Sequence, residues 1–211
     1  MSDATNSLAQ LHHALERFDT ADDAARPAVE ADIWAAFGTE GAALVLDMSG
    51  FSQTVKRRGI VPYLSMVRRM QRLTRPRVEA HDGVVVKYEA DNLYALFPDP
   101  ETALAAAREI IAACAAEPVT RPEDRVSVSI GIAAGPLLHI PNADFFGDCV
   151  NTAAKLGEDL APASEILMAK DAAMRLSAAS RAAATEGRFE VSGVRYEVLI
   201  WSPRASREAG A

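Results

Sequence analysis

The chain of 211 residues is short of cysteine, of positive charge and of long apolar runs, and each shortage argues against a class of protein. Its two cysteines fit neither a disulfide framework nor a zinc site, so we expect a reducing, cytoplasmic location. Lysine and arginine (22) are outnumbered by aspartate and glutamate (29), and the net charge of −7 disfavours generic nucleic-acid binding. No apolar run reaches the length of a membrane span, and the first residues lack the pattern of a secretion signal.

Hydrophobic residues make up 49% of the chain, which is enough at this length to bury a core without disulfides or a structural metal. The pattern divides the chain into three parts. We predict a helical N-terminal segment over 1–40, a main domain over 41–201, and a flexible tail over 202–211.

The N-terminal segment contains two stretches with apolar residues at helical spacing, one around Leu11 and Leu15 and one around Val29 and Ile33. Gly38 is expected to end the second helix. Amphipathic helices this short are not stable alone. They must therefore pack on the main domain, on a second copy of the chain, or on both, and we assign the segment to dimerisation or regulation.

The main domain alternates strand and helix patterns in the order β-α-β-β-α-β, followed by further elements. The predicted strands and helices lie at 42–47, about 50–80, around Asp91 as a hairpin, 99–117, 126–135, 147–159, 166–168 and 170–180, with a terminal hairpin that turns at 192–193. This order predicts an α+β fold, a ferredoxin-like βαββαβ sandwich with a helical N-terminal extension.

Two aspartates stand at strand ends of this predicted sandwich. Asp47 closes the apolar run 42–46, and Asp91 lies in the turn of the central hairpin. In the ferredoxin-like topology the first strand pairs antiparallel with the second hairpin strand, so these two ends become neighbours. We therefore expect the two carboxylates to share a divalent cation such as magnesium, which prefers hard oxygen ligands. The alternative is a pair of ordinary aspartates that cap turns.

Four segments of the main domain resemble, in order, the motifs of the class III nucleotidyl cyclase catalytic domain. They are LDMSGFS at 46–52, DGVVVKYEAD at 82–91, IGIAAG at 130–135 and DFFGDCVNTAAKL at 144–156. One such motif alone is a weak signal, whereas four in the right order with matching strand and helix contexts are specific. The resemblance implies a palm-like domain that makes 3′,5′-cyclic AMP or GMP from the nucleoside triphosphate.

The resemblance also implies roles for residues that bind metal and phosphate. Asp47 and Asp91, with the backbone carbonyl of Met48, would hold two Mg²⁺ or Mn²⁺ ions per site. Backbone N–H groups would approach the phosphates closely from the turn made of Gly50, Phe51 and Ser52.

Base recognition follows from the same resemblance. Lys87 matches the base-reading position and Asp144 its partner; a lysine that donates to a ring nitrogen and an aspartate that accepts from an exocyclic amine suit adenine. An acidic residue in place of the lysine would suit guanine, so the pair favours ATP. Without the Asp144 match, Lys87 would be interpreted as a strand lysine whose stem covers apolar surface.

The remaining implied residues are Asn151, which would orient the ribose, and Lys155, which would stabilise the charge on the α-phosphate. In the family, the site lies across a dimer interface. The metal-binding aspartates come from one chain, and Lys87, Asp144, Asn151 and Lys155 come from the other. The resemblance therefore implies a homodimer with two sites.

Four positions depart from the family's pattern. Lys155 replaces an arginine and lacks its planar fork, Ser129 and Ser192 stand where an arginine and a lysine are usual, and Ala90 replaces a glycine. Weaker catalysis is the expected consequence, because cationic phosphate ligands are lost. The basic stretch 56–77 offers a substitute for that charge or a docking site for an acidic partner, and the alternative is a solvated helix face.

The sequence thus predicts an adenylate cyclase that converts ATP into 3′,5′-cyclic AMP and pyrophosphate in signal transduction. Two alternatives stay open. One is a weak or silent cyclase-fold domain that binds nucleotide or a partner; the other is a cyclase for GTP or a pyrimidine nucleotide. The chain has no recognisable sensor domain, so a regulatory protein would act through the N-terminal helices or the basic stretch.

Overall fold

The computed structural model describes residues 7–49, 51–191 and 193–202, and these residues form one eight-stranded sheet. Its strands are β1 Gly38–Met48, β2 Val84–Glu89, β3 Asn92–Phe97, β4 Val128–Ile140, β5 Asp144–Phe146, β6 Ile166–Ala169, β7 Thr185–Val191 and β8 Val194–Trp201. The strand order is β2-β3-β1-β4-β6-β8-β7, and β5 pairs with the last residues of β4. Strands β4 and β6 are parallel, whereas β1 is antiparallel to both of its neighbours.

The helices occupy both faces of this sheet. They are α1 Leu8–Thr20, α2 Arg26–Phe37, α3 Phe51–Arg58, α4 Ile60–Ala80, α5 Pro100–Ala116, α6 Asp148–Ala154, α7 Lys170–Ala173 and α8 Ala178–Ala182. A 3₁₀ turn covers Pro122–Asp124, and a π-helical turn over Lys155–Leu160 continues α6. The elements from β1 to β4 have the predicted βαββαβ order, with α3 and α4 together as the first helical part, and this confirms the α+β, ferredoxin-like fold class.

Strand β1 is buried on both faces, which explains why it is a continuous apolar run. Leu44 and Leu46 pack with α4 and α5, whereas Ala43 and Val45 pack under α6. Side chains of a strand alternate between faces, so neighbouring residues of one run build two separate cores. The strand is also longer than the predicted 42–47, because it begins directly after α2 at Gly38.

Helix α5 begins as its sequence indicates. Asp99 is the N-cap, and its Oδ1 accepts hydrogen bonds from the backbone N–H groups of Glu101 (2.8 Å) and Thr102 (3.0 Å). Pro100 follows at the first helical position, where its missing N–H is not needed.

Two predicted helices are each divided in the structure. The helix expected over about 50–80 is interrupted at Gly59, whose φ of +86° is a left-handed conformation that separates α3 from α4. The helix expected over 170–180 is divided into α7 and α8, and Ser177 caps the second by accepting from the Ser180 N–H at 3.2 Å. Local helical spacing does not reveal such interruptions, because both halves retain it.

Helices α1 and α2 form a small apolar cluster with the end of β4, in which Leu11, Ile33 and Phe37 pack near Ile140. The N-terminal segment therefore packs on the main domain, which is one of the arrangements expected for it. Its assignment to dimerisation or regulation stays a prediction. In the part of the chain that the structure describes, no helix has both the length and the apolar character that a membrane span needs.

The turn between β2 and β3 contains Ala90 at a φ of +50°. An L-residue with a side chain is disfavoured in this left-handed region because its Cβ crowds the following carbonyl oxygen. Glycine has no such penalty, so the departure at Ala90 is strained as well as unusual.

We expect Ala90→Gly to raise the free energy of unfolding by about 0.5–1 kcal/mol, since the relief of strain exceeds the extra backbone entropy that glycine loses on folding. Urea unfolding of both proteins measures the difference. The control is Ala112→Gly on the exposed face of α5, which should destabilise by about 1 kcal/mol. A loss of stability in Ala90→Gly would contradict the prediction.

Candidate active site

The two aspartates singled out in the sequence lie at the same end of two paired strands, β1 and β3. In the antiparallel pair β1–β3, Leu46 is opposite Leu93. Asp47 follows Leu46 in the chain, and Asp91 precedes Leu93 by two residues, so the two ends lie side by side. The Asp91 side chain is buried, with a relative exposure of 9%, and Asp47 is half-buried. The structure thus brings the predicted carboxylates together.

The surroundings of Asp47 disfavour its negative charge. Burial is the largest cause that raises the pKa of Asp47 to about 6, followed by the charges of Asp91 and Glu158 and, more weakly, of Asp159. A hydrogen bond from the Met48 backbone N–H acts in the opposite direction. Among the residues that the structure describes, neither Asp47 nor Asp91 forms an ion pair, and no group of three or more acidic, histidine or cysteine side chains is arranged to hold a metal.

Tyr63 of α4 contributes to this site, although the sequence indicates only a core residue of an amphipathic helix. Its hydroxyl is buried and interacts electrostatically with Asp91. Burial and this interaction together raise the pKa of Tyr63 to about 12. The phenol therefore remains protonated beside the carboxylate throughout the physiological range. No separate sequence signal identifies this role.

Glu158 is a second residue that the sequence analysis missed. Its Oε1 accepts hydrogen bonds from Asn92 Nδ2 (2.9 Å) and from Tyr94 Oη (2.8 Å), both on β3. The π-helical turn that carries Glu158 can reach β3 because Gly157 lies against the Val45 carbonyl and against Gly131 of β4. A Cβ at either glycine would collide with backbone, so this close approach requires both.

Lys87 and Asp144, the residues predicted to read the base, are in contact with each other. Lys87 Nζ lies 3.1 Å from Asp144 Oδ2 and 3.3 Å from Glu89 Oε2. It also lies 4.8 Å from the centroid of the Tyr94 ring, within the range of a cation–π interaction. Burial acts to lower the pKa of Lys87, but the bonds to Asp144 and Glu89 outweigh it and the pKa is raised. The short strand β5, which the sequence analysis did not predict, carries Asp144 to this position.

Asn151 and Lys155 lie one turn apart on α6 and the following π-helical turn. Lys155 Nζ pairs with Asp159 Oδ2 at 2.7 Å, and the Asn151 side chain is exposed. Within the described residues, neither side chain bonds to Asp47 or to Asp91. One chain therefore does not bring all of the predicted site residues together, and the roles of Asn151 and Lys155 stay predictions.

The predicted phosphate turn falls partly outside the described residues. Gly50 lies outside them, and the side chains of Phe51 and Ser52 are likewise not described; α3 begins at Phe51. Ser49, directly before the turn, donates its backbone N–H to the Ser127 carbonyl at 2.9 Å. The predicted contact of this turn with phosphate is untested.

Of the two serines that replace cationic residues, one lies among the described residues. Ser129 is buried opposite Asp47 in the β1–β4 register, and its Oγ donates to the Asp47 carbonyl at 3.5 Å. Ser192 lies outside the described residues.

In the basic stretch, Arg58 pairs with Asp124, so its charge is already compensated within the chain, whereas Lys56 and Arg57 are exposed.

Comparison with solved structures gives the same fold. The adenylate/guanylate cyclase/hydrolase from Silicibacter pomeroyi is 28% identical, has a TM-score of 0.65, and matches over 79% of this chain and 98% of its own. The catalytic core of a rhodopsin-guanylyl cyclase with converted specificity, in complex with ATPαS, is 17% identical with a TM-score of 0.65, over 78% of this chain and 97% of its own. Adenylate cyclases from Trypanosoma brucei are 16% identical with a TM-score of 0.64, over 76% of this chain and 87% of theirs.

Comparison with curated proteins gives a shorter match. Putative adenylate cyclase 3 from Rhizobium meliloti (strain 1021) is 30% identical over 116 residues, which cover 54% of this chain. The match spans only about a fifth (20%) of the length of that relative. No family model matches the chain. The solved structures confirm the resemblance to the catalytic domains of class III nucleotidyl cyclases, and these similarities do not distinguish adenylate from guanylate cyclases.

Removal of the Asp47 charge tests the electrostatics of this site. In the folded state the pKa of Asp47 is about 6, above the ordinary value of 3.8, so ionisation of this carboxyl destabilises the fold. The stability that the protonated form contributes is therefore lost as the pH rises from about 4 to about 6. In EDTA at pH 7.5, we expect Asp47→Asn to raise the free energy of unfolding by roughly 1 kcal/mol, after discounting for solvent screening of a half-exposed group.

Urea unfolding at pH 7.5 and at pH 4 measures this difference, which should nearly disappear at the lower pH. Asp19→Asn, at an exposed position of α1, is the control and should change stability by a few tenths of a kcal/mol at either pH. A stabilisation by Asp47→Asn that is equal at both pH values would contradict the raised pKa.

Proposed function

We propose that this chain, which has the fold of class III nucleotidyl cyclase catalytic domains, converts ATP into 3′,5′-cyclic AMP and pyrophosphate. The single observation that carries the proposal is that Asp47, near the end of β1, lies beside Asp91, in the turn between β2 and β3. Two neighbouring, partly buried carboxylates without a cation among the described residues repel one another, and such a pair is costly unless it serves to bind positive charge.

The donor set fits a divalent metal with hard-ligand preference. Asp47 and Asp91, with the carbonyl of Met48, would hold Mg²⁺ or Mn²⁺, and two ions per site are expected. When bound, such ions lower the pKa of the ribose 3′-hydroxyl and neutralise the triphosphate. Tyr63, whose hydroxyl interacts with Asp91, would donate to that carboxylate and hold it in a fixed orientation, as outer partners of metal ligands commonly do.

The base would be read by Lys87 and Asp144. Their 3.1 Å contact places a donor and an acceptor side by side, as the edge of adenine requires, and the Tyr94 ring beneath Lys87 restricts the ammonium group. Guanine presents a ring N–H where adenine has a lone pair, so Lys87 would leave a mismatched polar contact with GTP. Specificity for ATP over GTP is therefore part of the proposal.

The complete site would be formed across a homodimer. Within one chain, Asn151 and Lys155 make no bond to the acid pair, so a second chain is the simplest source of these groups. Asn151 would orient the ribose, and Lys155 would exchange its contact with Asp159 for the α-phosphate. The 3′-oxygen would then attack the α-phosphorus in line, and pyrophosphate would leave.

The alternative proposal is a weak or silent cyclase-fold domain that binds nucleotide without efficient turnover. It is favoured by Ser129, which is buried and neutral where the family has a cation, and by the pairing of Lys155 with Asp159. Retention of both aspartates favours activity, because a domain without chemistry has no use for an unpaired acidic pair.

The decisive assay incubates the purified chain with each of the four nucleoside triphosphates and Mg²⁺ or Mn²⁺, and identifies cyclic products by mass spectrometry. We expect cyclic AMP, with GTP at least tenfold poorer. Asp47→Asn and Asp91→Asn should each lower the rate by at least about a hundredfold, because metal ions contribute several kcal/mol to the barrier. The exposed Asp19→Asn should retain the full rate. No cyclic product from any nucleotide would support the silent domain.

A shared site can be tested by mixing two inactive variants. Asp47→Asn and Asn151→Ala damage opposite halves of the proposed site, so in a mixed dimer one site carries both lesions and the other carries none. An equal mixture should recover about a quarter of the native activity, given random pairing of the two chains. Each variant incubated alone is the control. Absence of recovery, with subunit exchange demonstrated by native mass spectrometry, would place all site residues in one chain.

A further inference from the structure

An open cleft of about 580 Å³ lies between helix α4 and the edge strand β2, and none of its lining residues belongs to the proposed cyclase site. Arginine dominates the lining, with Arg68, Arg69, Arg72 and Arg75 on the α4 side and Tyr88 on the β2 side. We propose that this arginine cleft binds a small anion with two or more oxyanion groups, phosphate or carboxylate. The volume is in the range of small-ligand pockets, and the proposal does not depend on cyclase activity.

The arginines of the cleft are spaced along one face of a helix. Arg68, Arg72 and Arg75 recur at intervals of four and three residues, which places them on the same side of α4. At about 1.5 Å per residue, the first and last are separated by roughly 10 Å along the helix axis. One simple anion cannot reach all of them, whereas an anion with several oxyanion groups can.

The charges of this cleft are incompletely neutralised by the protein. Among the described residues, no carboxylate pairs with Arg68, which donates instead to the neutral Gln71 Oε1 at 3.2 Å. The partner of Arg75 is the exposed Glu79, at 3.4 Å, and exposed pairs of this kind are weak. Arg69 and Arg72 share Glu117. Four guanidinium groups thus face two carboxylates, in a chain whose net charge is −7.

Tyr88 gives the cleft a fixed aromatic wall. Its hydroxyl donates to the Gln71 carbonyl (3.3 Å) and lies 3.1 Å from Thr74 Oγ, and Thr74 is fully buried. The guanidinium of Arg75 lies over the ring, 5.6 Å from its centroid. A guanidinium held over an aromatic ring can still donate to an oxyanion from its edge, and its planar fork matches the two oxygens of a phosphate or carboxylate.

The test is isothermal titration calorimetry of the full chain with inorganic tripolyphosphate and, separately, with citrate. Both titrations contain EDTA, which removes the divalent ions that the acid pair would need to bind phosphate. We expect saturable binding of one or both anions to the native chain. In the double variant Arg68→Gln/Arg75→Gln, we expect the affinity to be at least tenfold lower. The control Arg188→Gln/Arg195→Gln changes the charge by the same amount on the exposed terminal hairpin, and its affinity should stay within twofold of native.

A second variant separates shape from charge. Arg68→Lys/Arg75→Lys keeps both charges and removes the planar forks, so we expect binding to weaken severalfold. The relative affinities for tripolyphosphate and citrate identify the oxyanion as phosphate or carboxylate. The proposal is overturned if neither anion gives saturable binding, if the hairpin control loses as much affinity as the cleft variant, or if the lysine variant binds as tightly as the native chain.

Discussion

The pairing of β1 between β3 and β4 is the constraint on which the rest of this structure depends. Both faces of β1 are buried, so a slip of one residue against either neighbour would exchange its two sets of core side chains. The register is therefore strongly specified, with Leu46 opposite Leu93 and Asp47 opposite Ser129. The position of Asp47 beside Asp91 follows from this register, and the sheet holds the two carboxylates together against their repulsion.

A second constraint acts from the other face of the sheet. Gly131 and Gly157 let the π-helical turn after α6 touch the backbone of β1 and β4, where no larger residue would fit. That contact brings Glu158 within reach of Asn92 and Tyr94, and its charge acts on Asp47. The acidity of the site is thus a product of backbone packing as much as of the two aspartates themselves.

Signals confined to one segment were predicted well. The buried strand β1, the cap at Asp99 and the hairpin around Asp91 follow from local patterning, and the order of elements was sufficient to predict the fold class. Features that depend on contacts between distant segments were not predicted. Tyr63 looks like any apolar position of an amphipathic helix, and only the packing of α4 on the sheet shows that its hydroxyl interacts with Asp91. Strand β5 has only three residues, too few to show the alternation of apolar and polar residues that identifies a strand.

The charge balance around the acid pair has a consequence for the proposed function. Glu158 and Asp159 add negative charge near Asp47, Ser129 supplies none of the positive charge that the family places there, and Lys155 pairs with Asp159. A triphosphate brings still more negative charge to this position. Among the described residues, no cation acts to lower the pKa of Asp47, so under the proposed function the offsetting charge would come from divalent ions and from a second chain. Substrate binding would then be energetically coupled to metal binding and to dimer formation, since each of these two supplies positive charge that the single chain lacks.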